Sequence, residues 1–319
     1  MKWSAFEHAH RQNVRVLQRV AMPAGYRTRP SALTDVPAIS ALVVSCERDV
    51  LGWTETDAAA VAAVFARPGF DPATHTLLVY DETDALVAWA WVKQRCGVEV
   101  HPGHRGRGLG SALLSWIEAK AGADDAAQLT QTVAKGDEAA VALLRTRGFD
   151  PIVVNWRLEI AWTAEPEVPD PPVGIVVRSF RSGDGPAAHR LLEDAFGEWN
   201  QRRRSYEEWA VLTVERASFA PDASPVAFAG DQMVGAVLAL EVPGSAEGFV
   251  ERLAVRRDYR GRGIARLLLQ DTFRGFHRNG RRSCALWTHS RTGALTLYER
   301  VGMSVARSTT VYAKSLKNS

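Results

Sequence analysis

The sequence contains little cysteine and no long apolar run. Cys46, Cys96 and Cys284 are its only cysteines, their number is odd, and none forms a C-x-x-C pair. This usage argues against a disulfide framework and predicts a reducing compartment, the cytoplasm. No run approaches the roughly 20 apolar residues of a membrane span, and charged residues and histidines interrupt residues 7–11. We therefore expect no signal peptide and no membrane partner.

The sequence also has a small net charge and no recognised metal-binding motif. The 39 Lys and Arg residues against 36 Asp and Glu residues leave a net charge of +3. This balance does not favour a nucleic-acid partner, although its sign suits an anionic cofactor. The eight histidines show no H-E-x-x-H motif and no pairing with cysteine, so no metal site is predicted. A length of 319 residues with 46% hydrophobic positions fits about two globular domains.

A glycine-rich sequence occurs twice. Arg105–Gly110 reads RGRGLG and Arg260–Ala265 reads RGRGIA, with their first arginines 155 residues apart. Two later glycines, Gly148 and Gly302, are 154 residues apart. A nearly constant offset over two landmarks predicts an internal repeat, and therefore two homologous domains.

Each copy of this sequence follows a short apolar run and precedes an amphipathic helical pattern. The runs are Val98–Val100 and Leu253–Val255. A strand, a loop and a helix start expose unpaired N–H groups, and the helix dipole adds roughly half a positive charge. Glycine allows a ligand to approach the backbone where a Cβ would collide with it. The pattern predicts one phosphate site in each half; the alternative is a basic surface turn.

The order of predicted elements is the same in both halves. First strands are predicted at 26–29 and 176–180, helices at 36–48 and 186–196, and strand pairs at 76–80 with 86–92 and at 226–229 with 233–241. This order predicts an α/β (α+β) fold in which helices flank a mixed, mostly antiparallel sheet. Four prolines within 164–172 indicate a stiff linker. Residues 1–22 have a helical stripe that fits a docked helix or a partner-binding arm.

At these motifs the chain resembles the GCN5-related N-acetyltransferase (GNAT) superfamily. Residues 253–265 are similar to its acyl-CoA pyrophosphate loop, and residues 294–303 to its second signature, whose tyrosine lies near the cofactor sulfur. The duplicated layout also resembles that of the mycothiol synthases. The resemblance implies an N-terminal GNAT-like domain at 23–163, a linker at 164–172 and a C-terminal GNAT domain at 173–319. Aligning Gly148 with Gly302 places Leu144 where Tyr298 lies, which implies a catalytically degenerate first domain.

The resemblance implies that the cofactor is acetyl-CoA and that it is bound by the apolar runs and the loops. The residues concerned are Val98, Val100, Arg105, Gly106, Arg107, Gly108, Leu109 and Gly110 in the first half, and Leu253, Ala254, Val255, Arg260, Gly261, Arg262, Gly263, Ile264 and Ala265 in the second.

The implied reaction is transfer of an acetyl group to a primary amine of a small molecule by direct attack, in the C-terminal domain. Tyr298 is the candidate acid for the departing thiolate; the alternative is a core tyrosine. Glu251 is the candidate base, because strand alternation places residues 251, 253 and 255 on one face. An exposed carboxylate, or one paired with Arg252, is equally compatible with its position.

Two further functions stay open from the sequence. The chain could be a non-catalytic acyl-CoA sensor, as the leucine at position 144 permits. Nucleic-acid binding through the arginines would require a steep dependence of affinity on salt. The cation run at 202–204 fits a solvated helix face or an entrance for an acceptor. We expect a monomer or a homodimer.

Overall fold

The computed structural model describes residues 21–54, 56–197, 203–241 and 244–316. The predicted helical extension at 1–22 therefore lies almost wholly outside the described residues, as does Arg202 of the cation run. The chain divides into two compact units. The first unit comprises Met1–Val154 with Thr309–Ser319, and the second comprises Asn155–Ser308.

The described residues contain twelve strands and nine α-helices. The strands are β1 (Arg27–Arg29), β2 (Thr76–Tyr80), β3 (Leu86–Val92), β4 (Cys96–Val100), β5 (Gln128–Ala134), β6 (Asp150–Ala161), β7 (Val176–Ser179), β8 (Pro225–Ala229), β9 (Gln232–Glu241), β10 (Glu247–Val255), β11 (Ser283–His289) and β12 (Ser304–Ser315). The helices are α1 (Val36–Leu51), α2 (Ala58–Phe65), α3 (Pro72–His75), α4 (Leu109–Ala123), α5 (Glu138–Thr146), α6 (Gly185–Phe196), α7 (Tyr206–Leu212), α8 (Ile264–Arg278) and α9 (Leu295–Arg300).

The first unit is a sheet with helices on both faces. Its strand order is β1-β2-β3-β4-β5-β12, and its neighbours are antiparallel except β4 and β5. Leu113 and Trp116 of α4 belong to the core on one face, and Leu42 of α1 and Phe65 of α2 belong to the core on the other. The apolar spacing of α4 in the sequence predicts this burial.

The second unit repeats this arrangement. Its strand order is β6-β11-β10-β9-β8-β7, with only β10 and β11 parallel among these neighbours. Leu268 and Phe273 of α8 pack on one face, and Leu192 of α6 and Trp209 of α7 pack on the other. The predicted fold class, a mixed and mostly antiparallel sheet flanked by helices, is confirmed.

Both predicted strand pairs are present. β2 and β3 have the predicted bounds, and the turn between them is held by Asp81, whose carboxylate accepts bonds from the N–H groups of Thr83 and Ala85. β8 and β9 each begin one residue earlier than predicted, with Gly230 at φ +57° between them. Short polar turns between apolar runs therefore determined both hairpins locally.

The last strand of the chain completes the first sheet. Residues 309–315 of β12 pair with β5, whereas residues 155–161 of β6 pair with β11 in the second unit. The unit division therefore differs from the boundary predicted at 164–172, although these residues form neither helix nor strand. The reason is that β6 continues without interruption to Ala161, while proline marks only the loop after it. No helix of the described residues has the length and apolar content of a membrane span.

Candidate active site

The second glycine-rich loop connects β10 to α8. A single helical turn at Arg257–Tyr259 is followed by Gly261 and Gly263, which take φ angles of +77° and +81°. The N–H of Leu267 donates to the carbonyl of Gly263 at 3.0 Å. The three N–H groups before Leu267 precede the first internal bond of the helix and point out of its start. This arrangement, with the positive end of the helix dipole, favours a phosphate.

Backbone conformation, and not crowding within the protein, requires both glycines. A Cβ atom at Gly261 or Gly263 would have no protein atom within 4 Å. The left-handed φ angles are costly for any other residue. The space in front of the loop is therefore open to a ligand, and the torsion angles explain the glycines without one.

The first loop has the same backbone but a different electrostatic setting. Gly106 and Gly108 take φ angles of +73° and +83°, and the N–H of Ala112 bonds to the carbonyl of Gly108 at 3.0 Å. Arg105 forms an ion pair with Asp49. The corresponding Arg260 donates from Nε to the carbonyl of Val255 at 3.1 Å. A carboxylate thus already neutralises the first arginine of the first loop.

The glycine at position 110 has a packing explanation. A Cβ there would lie 2.9 Å from Cδ2 of Leu143 on α5. Close approach of α4 and α5 therefore accounts for the absence of a side chain in this loop, independently of any ligand.

Strands β10 and β11 separate beside the second loop. Their parallel register runs from Glu247–Ser283 to Val250–Leu286, although the strands continue to Val255 and His289. On its other side β10 stays paired with β9 as far as Val255. The β11-facing edge of β10 therefore lies beyond the parallel register after Val250, and its main-chain groups border an opening in the sheet.

Glu251 occupies a β-bulge at the start of this opening. The register with β9 jumps from Val250 to Arg252, so strand alternation by itself does not determine the face of residue 251, and its place beside residues 253 and 255 stays a prediction. Val250, Leu253 and Val255 pack against the same core cluster, and the extra residue at 251 interrupts their alternation. The carboxylate of Glu251 accepts a bond from Nη1 of Arg216 at 2.9 Å. Its partner is thus Arg216, from the segment after α7, and not Arg252.

Tyr298 lies on α9 and is buried, with 8% of its surface exposed. Burial raises the pKa of its phenol to about 12, and the neighbouring hydroxyl of Thr288 acts against this rise. The hydroxyl therefore stays protonated throughout the neutral range. The prediction that the site contains a phenol able to donate a proton fits this environment, although the same residue also belongs to the core.

Leu144 is the structural counterpart of Tyr298. The N–H of Phe149 donates to the carbonyl of Leu144 at 3.0 Å, and the N–H of Met303 donates to the carbonyl of Tyr298 at 3.0 Å. Both residues therefore occupy the same position before the same helix-ending turn. Leu144 is 1% exposed and carries no acidic proton.

A cavity of about 2120 Å³ in the second unit brings the predicted residues together. The predicted residues that line it are Glu251, Leu253, Ala254, Val255, Arg260, Gly261, Gly263, Ile264, Ala265 and Tyr298. Arg262 is the exception, because its guanidinium lies 4.7 Å from the centre of the Tyr259 ring and donates to the carbonyl of Asp258 at 3.2 Å. The predicted residues of the first half, 98–110, belong to the other unit.

Sequence reasoning missed several members of this site. Arg216 and Thr288 hold Glu251 and Tyr298 through contacts between distant parts of the sequence, which spacing does not reveal. Trp287 also lines the cavity. The signal in the sequence that could have indicated Trp287 is its position beside Thr288, in a run of residues typical of a strand.

The remaining reactive groups of the unit do not supply a nucleophile or a metal site. Cys284 is fully buried, and burial raises the pKa of its thiol well above the ordinary value. Burial and the charge of Arg291 lower the pKa of His289, which therefore favours the neutral ring. Within the described residues no group of three or more His, Cys, Asp and Glu could hold a metal ion.

The fold and the site together define a class. Two similar α/β units each present a phosphate cradle at a helix start, and one of them adds a protonated phenol and an open strand edge. These are the parts that transfer of an acyl group from a phosphate-bearing carrier requires.

Comparison with known proteins identifies the family. The profile described as the acetyltransferase (GNAT) family matches residues 43–149 and 186–303. The chain belongs to this family and is an acyltransferase.

Relatives and solved structures agree with this assignment. The chain is 32% identical over 228 residues to a mycothiol acetyltransferase of Geodermatophilus obscurus, covering 64% of this chain and 68% of that protein. It is 27% identical over 244 residues to a mycothiol acetyltransferase of Thermobispora bispora, covering 72% and 79%. A GCN5-related N-acetyltransferase from Sphaerobacter thermophilus is similar with a TM-score of 0.77 and 29% identity over 93% of this chain and 97% of that one. A tandem GNAT protein from the clavulanic acid biosynthesis pathway shares the fold, with a TM-score of 0.66 and 17% identity over 92% and 99%.

Proposed function

We propose that the chain transfers an acetyl group from acetyl-CoA to a primary amine of a small molecule, with the chemistry in the C-terminal unit. The observation that carries this proposal is the contrast between two equivalent positions. Tyr298 holds a phenol whose pKa is raised to about 12 beside an open cradle, whereas Leu144 holds an aliphatic side chain.

The residues of the second unit fit acetyl-CoA. The N–H groups at the start of α8 and the guanidinium of Arg260 suit a diphosphate, and no protein atom fills the space before Gly261 and Gly263. The separated edges of β10 and β11 offer main-chain donors and acceptors to an extended amide chain. When bound, this carrier supplies a thioester whose carbonyl is open to attack.

The chain's own residues then divide the proton transfers. Glu251, held by Arg216, accepts a proton from the acceptor ammonium directly or through water. A main-chain N–H of β10 beyond Val250 donates to the carbonyl oxygen as negative charge develops there. Tyr298 donates its proton to the departing sulfur, and the proton that the nitrogen loses as it becomes an amide returns to the phenol oxygen directly or through water. The buried, protonated thiol of Cys284 supports direct attack without a covalent enzyme intermediate.

Two mycothiol acetyltransferases among the relatives support a small-molecule acceptor. In the first unit, the leucine at position 144 and the ion pair of Arg105 with Asp49 support a degenerate domain. We propose that this unit contributes no acyl transfer.

The test is release of free thiol from acetyl-CoA by the purified chain in the presence of a panel of primary amines. We expect amine-dependent release, with calorimetry showing affinity for CoA. Affinity for CoA without release across a broad panel would instead identify a non-catalytic sensor. Absence of any affinity for CoA or acetyl-CoA would remove the whole proposal.

A further inference from the structure

Trp287 is a large aromatic residue in an unusual position. It lies on β11 between the buried residues Leu286 and Thr288, yet 44% of its own surface is exposed. Alternate residues of a strand face opposite sides, so Leu286 and Thr288 point toward the core while Trp287 points away from it. Its ring is therefore available on the sheet face opposite α8.

Trp287 stands at the junction of two cavities. Besides the main cavity it lines a side cavity of about 460 Å³. The two cavities share Val250, Glu251, Arg252 and Trp287. The side cavity is further lined by the apolar residues Leu240 and Phe249 and by the cation Arg216. A molecule that enters along the main cavity thus meets an aromatic surface and a second, partly apolar space at the bulge.

The polar groups at this junction are fixed in place. Arg216 and Glu251 form an ion pair at 2.9 Å, with side-chain exposures of 42% and 21%. The guanidinium of Arg252 lies 5.6 Å from the centre of the Phe196 ring and pairs with no carboxylate in the part of the chain that the structure describes. Ring faces beside such polar groups bind flat molecules that carry hydrogen-bonding substituents.

The junction is also close to the proposed chemistry. Glu251, the proposed base, lines both cavities, and Trp287 and Tyr298 both line the main one. An acceptor whose ring stacks on Trp287 therefore lies in the same cavity as the phenol, and a linker through the opening between β10 and β11 can carry its nitrogen to the proposed site of transfer.

We infer that the side cavity and Trp287 form a second acceptor subsite, which takes a ring attached to the amine by a short linker. This inference rests on the proposed acetyl transfer and specifies its acceptor. An aromatic ring and a sugar ring both present a flat apolar face, and this face is the feature that the subsite recognises.

The test compares three classes of primary amine: phenethylamine, glucosamine and a linear alkylamine of matched length. For the wild-type chain we expect a higher kcat/KM for a ring-bearing amine than for the linear one. Trp287→Ala should lower the ratio of ring to linear kcat/KM by about tenfold, mainly through KM, because stacking is lost. Trp287→Phe should retain most of the preference. Whichever of phenethylamine and glucosamine has the higher kcat/KM identifies the kind of ring that the subsite takes.

A matched control comes from the first unit, where Trp53 is 48% exposed. Trp53→Ala removes a comparably exposed tryptophan that lines neither cavity and should leave the ratio unchanged. Equal ratios in wild type and Trp287→Ala would overturn the subsite while leaving acetyl transfer intact.

Binding gives a readout that does not depend on turnover. With CoA present, a ring-bearing amine should change the tryptophan fluorescence of the wild-type chain and not that of Trp287→Phe. Identical titrations for the two proteins would overturn the subsite even if no amine is acetylated, whereas failure of all amines to react bears on the proposed transfer itself.

Discussion

Burial and ion pairing set the surroundings of Tyr298 and Glu251, the two side chains that we propose for proton transfer. Tyr298 is enclosed in the core of the second unit, which keeps its phenol protonated. Glu251 lies at a bulge and forms an ion pair with Arg216. In the proposed reaction Tyr298 is the proton donor and Glu251 the proton acceptor.

Tyr298→Phe should lower kcat by about 10²- to 10³-fold and leave the KM for acetyl-CoA nearly unchanged, because only the proton donor is removed. Turnover of the wild type should not fall with rising pH where an ordinary tyrosine, with a pKa of about 10, ionises. Steady-state kinetics over pH measures both effects. Native turnover in a folded Tyr298→Phe chain would remove the acid role.

Glu251→Gln should lower kcat/KM by about 10²-fold, because the amide cannot accept a proton. Arg216→Gln serves as the control, since it releases the carboxylate without removing it. If a folded Glu251→Gln chain keeps the native kcat/KM, another group is the base.

The loop between β10 and α8 shows how one short segment creates a binding site. Its glycines adopt left-handed angles that turn the chain, and the turn aims the first N–H groups of α8 at a common point. The bulge and the separation of β10 from β11 add an opening in the sheet beside that point. The candidate site is therefore mostly main chain, and the side chains that we propose for proton transfer are Glu251 and Tyr298.

Gly263→Ala should weaken binding of CoA at least severalfold, because alanine at φ +81° and ψ −4° is strained by about 1–2 kcal/mol. The loop can relieve this strain by turning its N–H groups away. Gly108→Ala is a matched control, since Gly108 has φ +83° and ψ −4° in the other unit. We expect a similar loss of stability in both variants and loss of turnover in Gly263→Ala alone, measured by thermal unfolding and thiol release. Equal loss of turnover in both would contradict catalysis confined to the C-terminal unit.

The first unit depends on residues from both ends of the chain. β12 brings Tyr312 into the core of the first unit, where it is 5% exposed, and Lys314 bonds to Glu118 at 2.9 Å. A fragment of residues 1–163 lacks this strand and leaves the edge of β5 unpaired. We expect the fragment to lose cooperative thermal unfolding, and appending residues 304–316 by a flexible linker to restore it. A cooperative transition in the fragment alone would contradict this dependence.

Glu99 on β4 links the stability of the first unit to pH. Burial, reinforced by the charges of Asp137 and Glu47, raises the pKa of its carboxyl to about 7. The unfolded chain loses this proton at the ordinary pKa of about 4.3, so the folded state binds more protons between the two values. The free energy of unfolding should therefore fall as pH rises from about 4 to 7, by at most about 3 kcal/mol.

Glu99→Gln should remove this decline, because the amide has no proton to lose. Chemical unfolding at several pH values measures the difference between the two proteins. Parallel curves for wild type and Glu99→Gln would show that the carboxyl ionises normally in the folded chain.

Local sequence was sufficient for much of the architecture. Apolar periodicity and short polar turns predict the hairpin of β2 with β3 with its bounds, and the repeated RGRG sequence predicts the helix starts at Leu109 and Ile264. These features succeed because helix starts and tight turns are set by neighbouring residues and torsion angles. No local pattern reveals the β-bulge at Glu251, where the register of β10 with β9 shifts by one residue.

The sequence by itself therefore determined that this protein has two similar units, each with a glycine loop at a helix start, because these features depend on neighbouring residues and on repetition. Only the tertiary structure decided that Arg216 holds Glu251, that Tyr298 is buried and that β12 belongs to the first unit. The physical reason is that these contacts join residues far apart in the chain, and their energy depends on burial and on strand pairing that exist only after folding.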